Sequence, residues 1–80
     1  MFCTYILKSK AFNKHYFGHT ANLEKRFAEH NLGLSRYTKK FIPWKLIYFE
    51  EFESRSEAMM RKKFFKTLSG YHWLKDNGIV

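Results

Sequence analysis

The chain opens on Phe2-Cys3-Thr4-Tyr5-Ile6-Leu7-Lys8, a β-rich and apolar run that predicts a strand over 2–8. Ser9 to Lys14 has the polar and Asn content of a loop, and residues 15–20 then alternate around Tyr16 and Phe17, so the two runs read as a β-hairpin. Gly18 interrupts the second run, which predicts a bulge or a place where another backbone or a ligand comes close. From Asn22, a candidate N-cap, the pattern turns helical, with Leu23, Phe27 and Ala28 expected to face inward. Arg26 and His30 fall at i and i+4 beside that stripe, at the edge of the buried face, where side chains can reach a cleft. Asn31 and Gly33 predict the helix end.

Residues 32–43 read as a loop closed by Pro43, and Trp44-Lys45-Leu46-Ile47-Tyr48-Phe49 is the strongest strand signal in the chain. Glu50 to Glu53 read as a polar strand end and loop, because adjacent strand carboxylates point to opposite faces and do not make a metal site. Ser54-Arg55-Ser56-Glu57 fits a capping box opening a helix to about Leu68, with Ala58, Lys62 and Phe65 on one face. Arg61 and Leu68 flank that face. Gly70 predicts a break before a short last helix that closes the core with Trp73 and Leu74.

Composition narrows what such a chain can do. Eighty residues, with no linker, repeat or low-complexity tract, predict one domain over 1–80 with a modest core. The single cysteine, Cys3, allows no disulfide within the chain and no multi-cysteine metal site, and reads as a small apolar strand residue. Apolar runs are too short to span a bilayer and the start lacks a signal-peptide pattern, so a soluble cytoplasmic protein is expected. Lys and Arg outnumber Asp and Glu by 15 to 7, giving +8. That charge favours nucleic acid over an anionic membrane, because the basic residues are spread over strand, loop and helices and not gathered on one amphipathic helix.

The chemistry concentrates between Tyr5 and His30. Two tyrosines on paired strands, with Arg26 and His30 one helical turn apart, can form a site for an anionic substrate. Arg36, Tyr37, Thr38, Lys39 and Lys40 interleave basic and aromatic groups in the following loop, a composition that suits phosphates and stacked bases as well as a solvated loop. Lys62 falls on an apolar helix face, where an ammonium is costly unless it snorkels or meets an anion. His15, His19 and His72 lack metal-ligand spacing.

These residues resemble the GIY-YIG family of nuclease domains, in particular its small standalone members. Cys3-Thr4-Tyr5 stands where the family has Gly-Ile-Tyr, and Tyr16-Phe17-Gly18 where it has Tyr-Ile-Gly. Arg26, His30, Asn31 and Gly33 match its first helix and following turn. Pro43-Trp44-Lys45-Leu46 looks like its third-strand entry, and Ser56-Glu57-Ala58 through Lys66 like its second helix. The resemblance implies an α/β (α+β) fold, a small three-stranded antiparallel sheet flanked by helices, and hydrolysis of a nucleic-acid phosphodiester assisted by a divalent metal, Mg or Mn. It implies Tyr5 accepting a proton from the attacking water, Tyr16 positioning water or phosphate, Arg26 on the scissile phosphate, and His30 assisting proton transfer or binding phosphate. DNA is the first expected partner and RNA the second.

The departure that matters lies on the second helix; Cys3 in place of Gly is milder, since small residues can serve in that strand. After Ala58-Met59-Met60-Arg61 the family carries a metal-binding Glu, and here Lys62 stands, a group with no lone pair for a cation. Glu57 lies about 140° round the helix and Glu53 precedes it, so neither replaces the carboxylate. Three readings stay open: a nuclease that uses another carboxylate or the Lys62 ammonium itself, a nucleic-acid-binding domain that does not cut, and a basic protein-interaction module.

Overall fold

A computed structural model describes all 80 residues. Its elements follow the hydrophobic pattern: β1 (Phe2–Ser9), β2 (His15–Thr20), α1 (Leu23–Asn31), a 3-10 turn (Thr38–Phe41), β3 (Trp44–Phe52), α2 (Arg55–Phe65) and α3 (Leu68–Asp76). The strands form one antiparallel sheet in the order β2-β1-β3, so β1 is central and β2 and β3 are its edges.

Because β1 has neighbours on both sides and helices on both faces, residues 3–7 are all buried. Alternation then divides the core in two. Tyr5, Leu7 and Trp44 pack with Tyr16, Leu23, Phe27, Phe41 and Leu46 under α1 and the 3-10 turn. On the other face, Ile6, Phe65 and Leu74 pack with Phe17, Tyr48, Phe64 and Trp73 under α2 and α3. Burial of each such apolar side chain is worth about 1.5–3 kcal/mol, so both layers hold the central strand in register.

Between the Ile6–Tyr48 and Leu7–Leu46 pairs the register slips by one, leaving Ile47 as an extra residue in β3. The strand runs on to Phe52, through the polar strand end expected from Glu50, and Glu50 finds a partner on the helical side. Arg61 on α2 holds Glu50 through Nε and Nη2 at 2.8 and 3.2 Å, and its guanidinium lies 4.6 Å from the Trp73 ring and 4.7 Å from Phe65. One side chain thereby ties β3, α2 and α3 together. Glu51 is exposed on the opposite face, as the strand alternation requires.

Both expected N-caps form. The Asn22 side chain accepts from the Lys25 amide, and the Ser54 hydroxyl from the Glu57 amide. The second helix ends at Phe65, short of the expected Leu68, because Thr67 caps a new helix by accepting from the Gly70 amide. Leu68 is consequently exposed and does not flank the core. Gly70, expected to break the chain, lies inside α3, where a Cβ would collide with the Phe64 carbonyl; glycine lets the two helices touch. Ala28, expected inward, is exposed, since Leu23 and Phe27 fill the inner face of a helix lying over a narrow sheet.

Candidate functional site

Pairing of Tyr5 with Gly18 across β1 and β2 puts the phenol over the glycine backbone. A Cβ at Gly18 would stand 2.5 Å from Tyr5 Cζ and Oη, so the close approach expected at this glycine is made by the Tyr5 ring. The ring runs out towards α1, where Oη meets His30 Nε2 at 2.8 Å. His30 Nδ1 lies 2.7 Å from Thr38 Oγ1, and the Thr38 carbonyl accepts from Trp44 Nε1 at 2.9 Å. Tyr5, His30, Thr38 and Trp44 thus form one buried polar line from the central strand through α1 to the 3-10 turn and β3. The Tyr16 ring leans against it, centred 4.9 Å from His30 and 6.2 Å from Tyr5.

Burial decides the charges along this line. His30 is fully enclosed, and that burial, with the Arg26 charge nearby, pushes its pKa down to about 4, so the imidazole is neutral at pH 7. Burial, reinforced by Tyr16, also holds the Tyr5 phenol well above its ordinary range, against the pull of Arg26. With a neutral imidazole each ring nitrogen has a complementary role: one donates and the other accepts, and reversing the tautomer reverses both hydrogen bonds. The line can move a proton from the phenol to Nε2 without moving a heavy atom.

Asn31 fixes the same corner. Its side-chain Oδ1 accepts from the Trp44 amide at 2.6 Å and its Nδ2 donates to the Trp44 carbonyl at 3.1 Å, the pair of bonds a neighbouring strand would make.

Arg26 stands outside this buried line, half-exposed and held by Glu29 at 3.1 Å. It borders a cavity of about 290 Å³ at the end of β2, walled by His19, Thr20, Ala21, Asn22, Lys25, Arg26, Glu29 and Arg55. Three cations face one carboxylate there, and that carboxylate is engaged by Arg26. His19, on the far wall, keeps Nδ1 buried with no hydrogen-bond partner. Burial, then the charges of Lys62 and Arg55, hold this imidazole below its ordinary pKa. Lys62 is half-buried one turn beyond Ala58 on α2, and burial together with Lys66 and Lys63 lowers its own pKa.

Of the residues expected at the site, Tyr5, Tyr16 and His30 come together and Arg26 lies beside them. Arg36, Tyr37, Lys39 and Lys40 are exposed around the 3-10 turn, with the Tyr37 ring 6.4 Å from Tyr16 and 5.3 Å from Phe41. Thr38 does not belong with them. It is fully buried with its hydroxyl on His30, so it holds the histidine and cannot touch a nucleic acid. Lys62 is separated from that loop by the thickness of the sheet. Glu29, His19 and Arg55 were not singled out for the site by sequence; the Arg26–Glu29 spacing of i, i+3 was the one legible signal among them.

The family model of the GIY-YIG catalytic domain matches residues 1–74. The chain belongs to the GIY-YIG family. A UPF0213 protein of Listeria welshimeri is 47% identical over 66 residues, covering 81% of this chain and 72% of that protein. A UPF0213 protein of Staphylococcus haemolyticus is 47% identical over 72 residues, covering 89% and 87%. The solution NMR structure of a UPF0213 protein of Bacillus halodurans superposes with a TM-score of 0.57 at 26% identity, over 99% of this chain and 87% of that one. The antiparallel sheet with its flanking helices is the architecture expected of this GIY-YIG chain.

GIY-YIG domains generally depend on a divalent metal. The side chains here do not fit one. Glu29 is bound to Arg26, Glu50 to Arg61 on the other face of the sheet, and both His30 nitrogens are engaged. Where the resemblance places the family's carboxylate this chain has Lys62, whose ammonium repels a cation.

Proposed function

We propose that this GIY-YIG chain binds the phosphate backbone of nucleic acid, DNA before RNA, without a divalent cation, and cleaves little as it stands. The observation that carries the reading is the cation-rich cavity at the end of β2, with Arg26 beside the Tyr5–His30–Thr38 line and Lys62 behind His19. Lys25, Arg26 and Arg55 offer hydrogen bonds and charge to a phosphate, and His19 Nδ1 is a buried polar atom in need of a partner. Tyr37, Lys39 and Lys40 extend the contact along the strand by stacking and charge.

Tyr5, Tyr16 and His30 are assigned the family's proton-handling roles. In those roles the attacking water's proton passes to Tyr5 Oη and the phenol's own to His30 Nε2, leaving hydroxide to attack phosphorus. But Tyr5 is buried and does not line the cavity, so a water there has no open path to it. In this chain the step is slow. Protonating an imidazole with a pKa near 4 at neutral pH costs about 4 kcal/mol, and no metal lowers the pKa of the attacking water. Lys62→Glu restores the carboxylate at the family position. Incubation of both proteins with labelled DNA in magnesium tests this: the variant gains cleavage that Arg26→Ala abolishes, and the unaltered chain cuts little. Robust magnesium-dependent cutting by the unaltered chain, lost on Arg26→Ala, would refute the reading.

A further inference from the structure

We infer that the free edge of β3 is a self-complementary interface at which a second copy of this chain pairs, making one six-stranded antiparallel sheet. None of the backbone groups of residues 45–52 bonds to anything beyond β1. Only Trp44, at the start of the strand, has its outward N–H and C=O occupied, by the side chain of Asn31. The strand beyond it is therefore an unpaired template, and its outer rim is an apolar groove of about 290 Å³ lined by Leu46, Ile47, Tyr48 and Phe49.

What selects a second copy is the register. Hydrogen-bonding direction alternates along an antiparallel strand, so Leu46 points outward as Trp44 does. The extra residue at Ile47 shifts the phase, and beyond it Phe49 points outward. A two-fold axis between Ile47 and Tyr48 then sets Leu46 opposite Phe49 of the second copy, and Phe49 opposite its Leu46, with outward groups meeting outward groups. Both residues lie on the Tyr5 face, Leu46 across from Leu7 and Phe49 across from Tyr5, so the side chains meet on one side. Phe49 is 48% exposed in the single chain, and this contact covers it.

The same axis places Lys45 opposite Glu50 of the second copy, twice, on the other face, where Lys45 pairs with Lys8 and Glu50 with Thr4. Opposite charges therefore meet at both ends of an apolar centre. Glu50 keeps capacity for this: Arg61 and Tyr48 supply three hydrogen bonds to a carboxylate with about four acceptor sites. Without the extra residue, outward positions would meet inward ones in this register. The irregularity that twists the edge also makes it match itself. In the resulting sheet the two cation-lined cavities, each at a β2 edge, stand at opposite ends.

Sedimentation equilibrium over a rising concentration series tests the inference, with amide hydrogen exchange on the same samples. The mass is expected to rise towards twice that of the chain, and the Leu46 and Phe49 amides to slow with concentration. Lys45→Glu puts like charges opposite each other at both ends and weakens dimerisation about tenfold or more. Lys39→Glu makes the same charge change on the 3-10 turn and leaves association unchanged; circular dichroism checks that both variants fold. A single-chain mass at every concentration overturns the inference, as does a dimer indifferent to Lys45→Glu or one protecting β2 amides in place of β3.

Discussion

Among single residues, Gly18, Tyr5 and His30 hold the site in place. Gly18→Ala forces the Tyr5 ring off its place, since Tyr5 Cζ and Oη lie 2.5 Å from where the new Cβ would stand. Overpacking of this kind costs about 1–3 kcal/mol. A drop in urea midpoint is expected, whereas an unchanged midpoint would show that the glycine serves no close approach. His30 makes a prediction in pH. Unfolded, it takes up a proton near its ordinary value of 6.5; folded, only near about 4. Between those values the unfolded chain holds more protons, so stability is full above the window and falls as pH drops through it, by up to about 3 kcal/mol. His15 and His19, whose pKa values are also lowered by burial, act in the same direction. Denaturant titrations at pH 7 and pH 4.5 measure the loss, and His30→Gln is expected to make it smaller. The residue types at the site were readable without coordinates, because two strand tyrosines and an i, i+4 Arg–His pair already converge in outline. The charge state of His30 was not. Sequence placed it at a cleft edge, and only the Thr38 hydroxyl, eight residues on, encloses it as a neutral group.

Among the elements, periodicity predicted all three strands and the starts of α1 and α2, because capping side chains and alternating apolar positions are local. What it missed depends on distant partners. α2 stops early because Thr67 caps a helix of its own, and the Arg61 that holds the polar end of β3 lies eleven residues from Glu50. Gly70 reads as a breaker because a sequence does not reveal that the Phe64 carbonyl packs against it. The joint made by Arg61 gives a test at this scale. Arg61→Met removes the hydrogen bonds to Glu50 and the guanidinium over Phe65 and Trp73, leaving a half-buried carboxylate bonded to Tyr48 alone. A loss of about 2–3 kcal/mol is expected. A variant as stable as the parent would show that the apolar packing of Phe65, Trp73 and Leu74 suffices to hold these elements.

For the whole molecule the governing facts are a charge of +8 and its arrangement round one end of β2. Lys25, Arg26 and Arg55 line the cavity, Lys62 stands behind it, and the Lys39–Lys40 turn flanks the Tyr16 side. The most direct measurement is the affinity of the unaltered chain for a labelled DNA oligonucleotide in EDTA, across a salt series. Binding is expected at low salt with no divalent cation present, weakening linearly in log–log form as salt rises, with a shallower slope for Arg26→Ala. Absence of binding at low salt, or binding that appears only when magnesium is added, would contradict the claim that a phosphate site has been kept here while the metal site has been replaced.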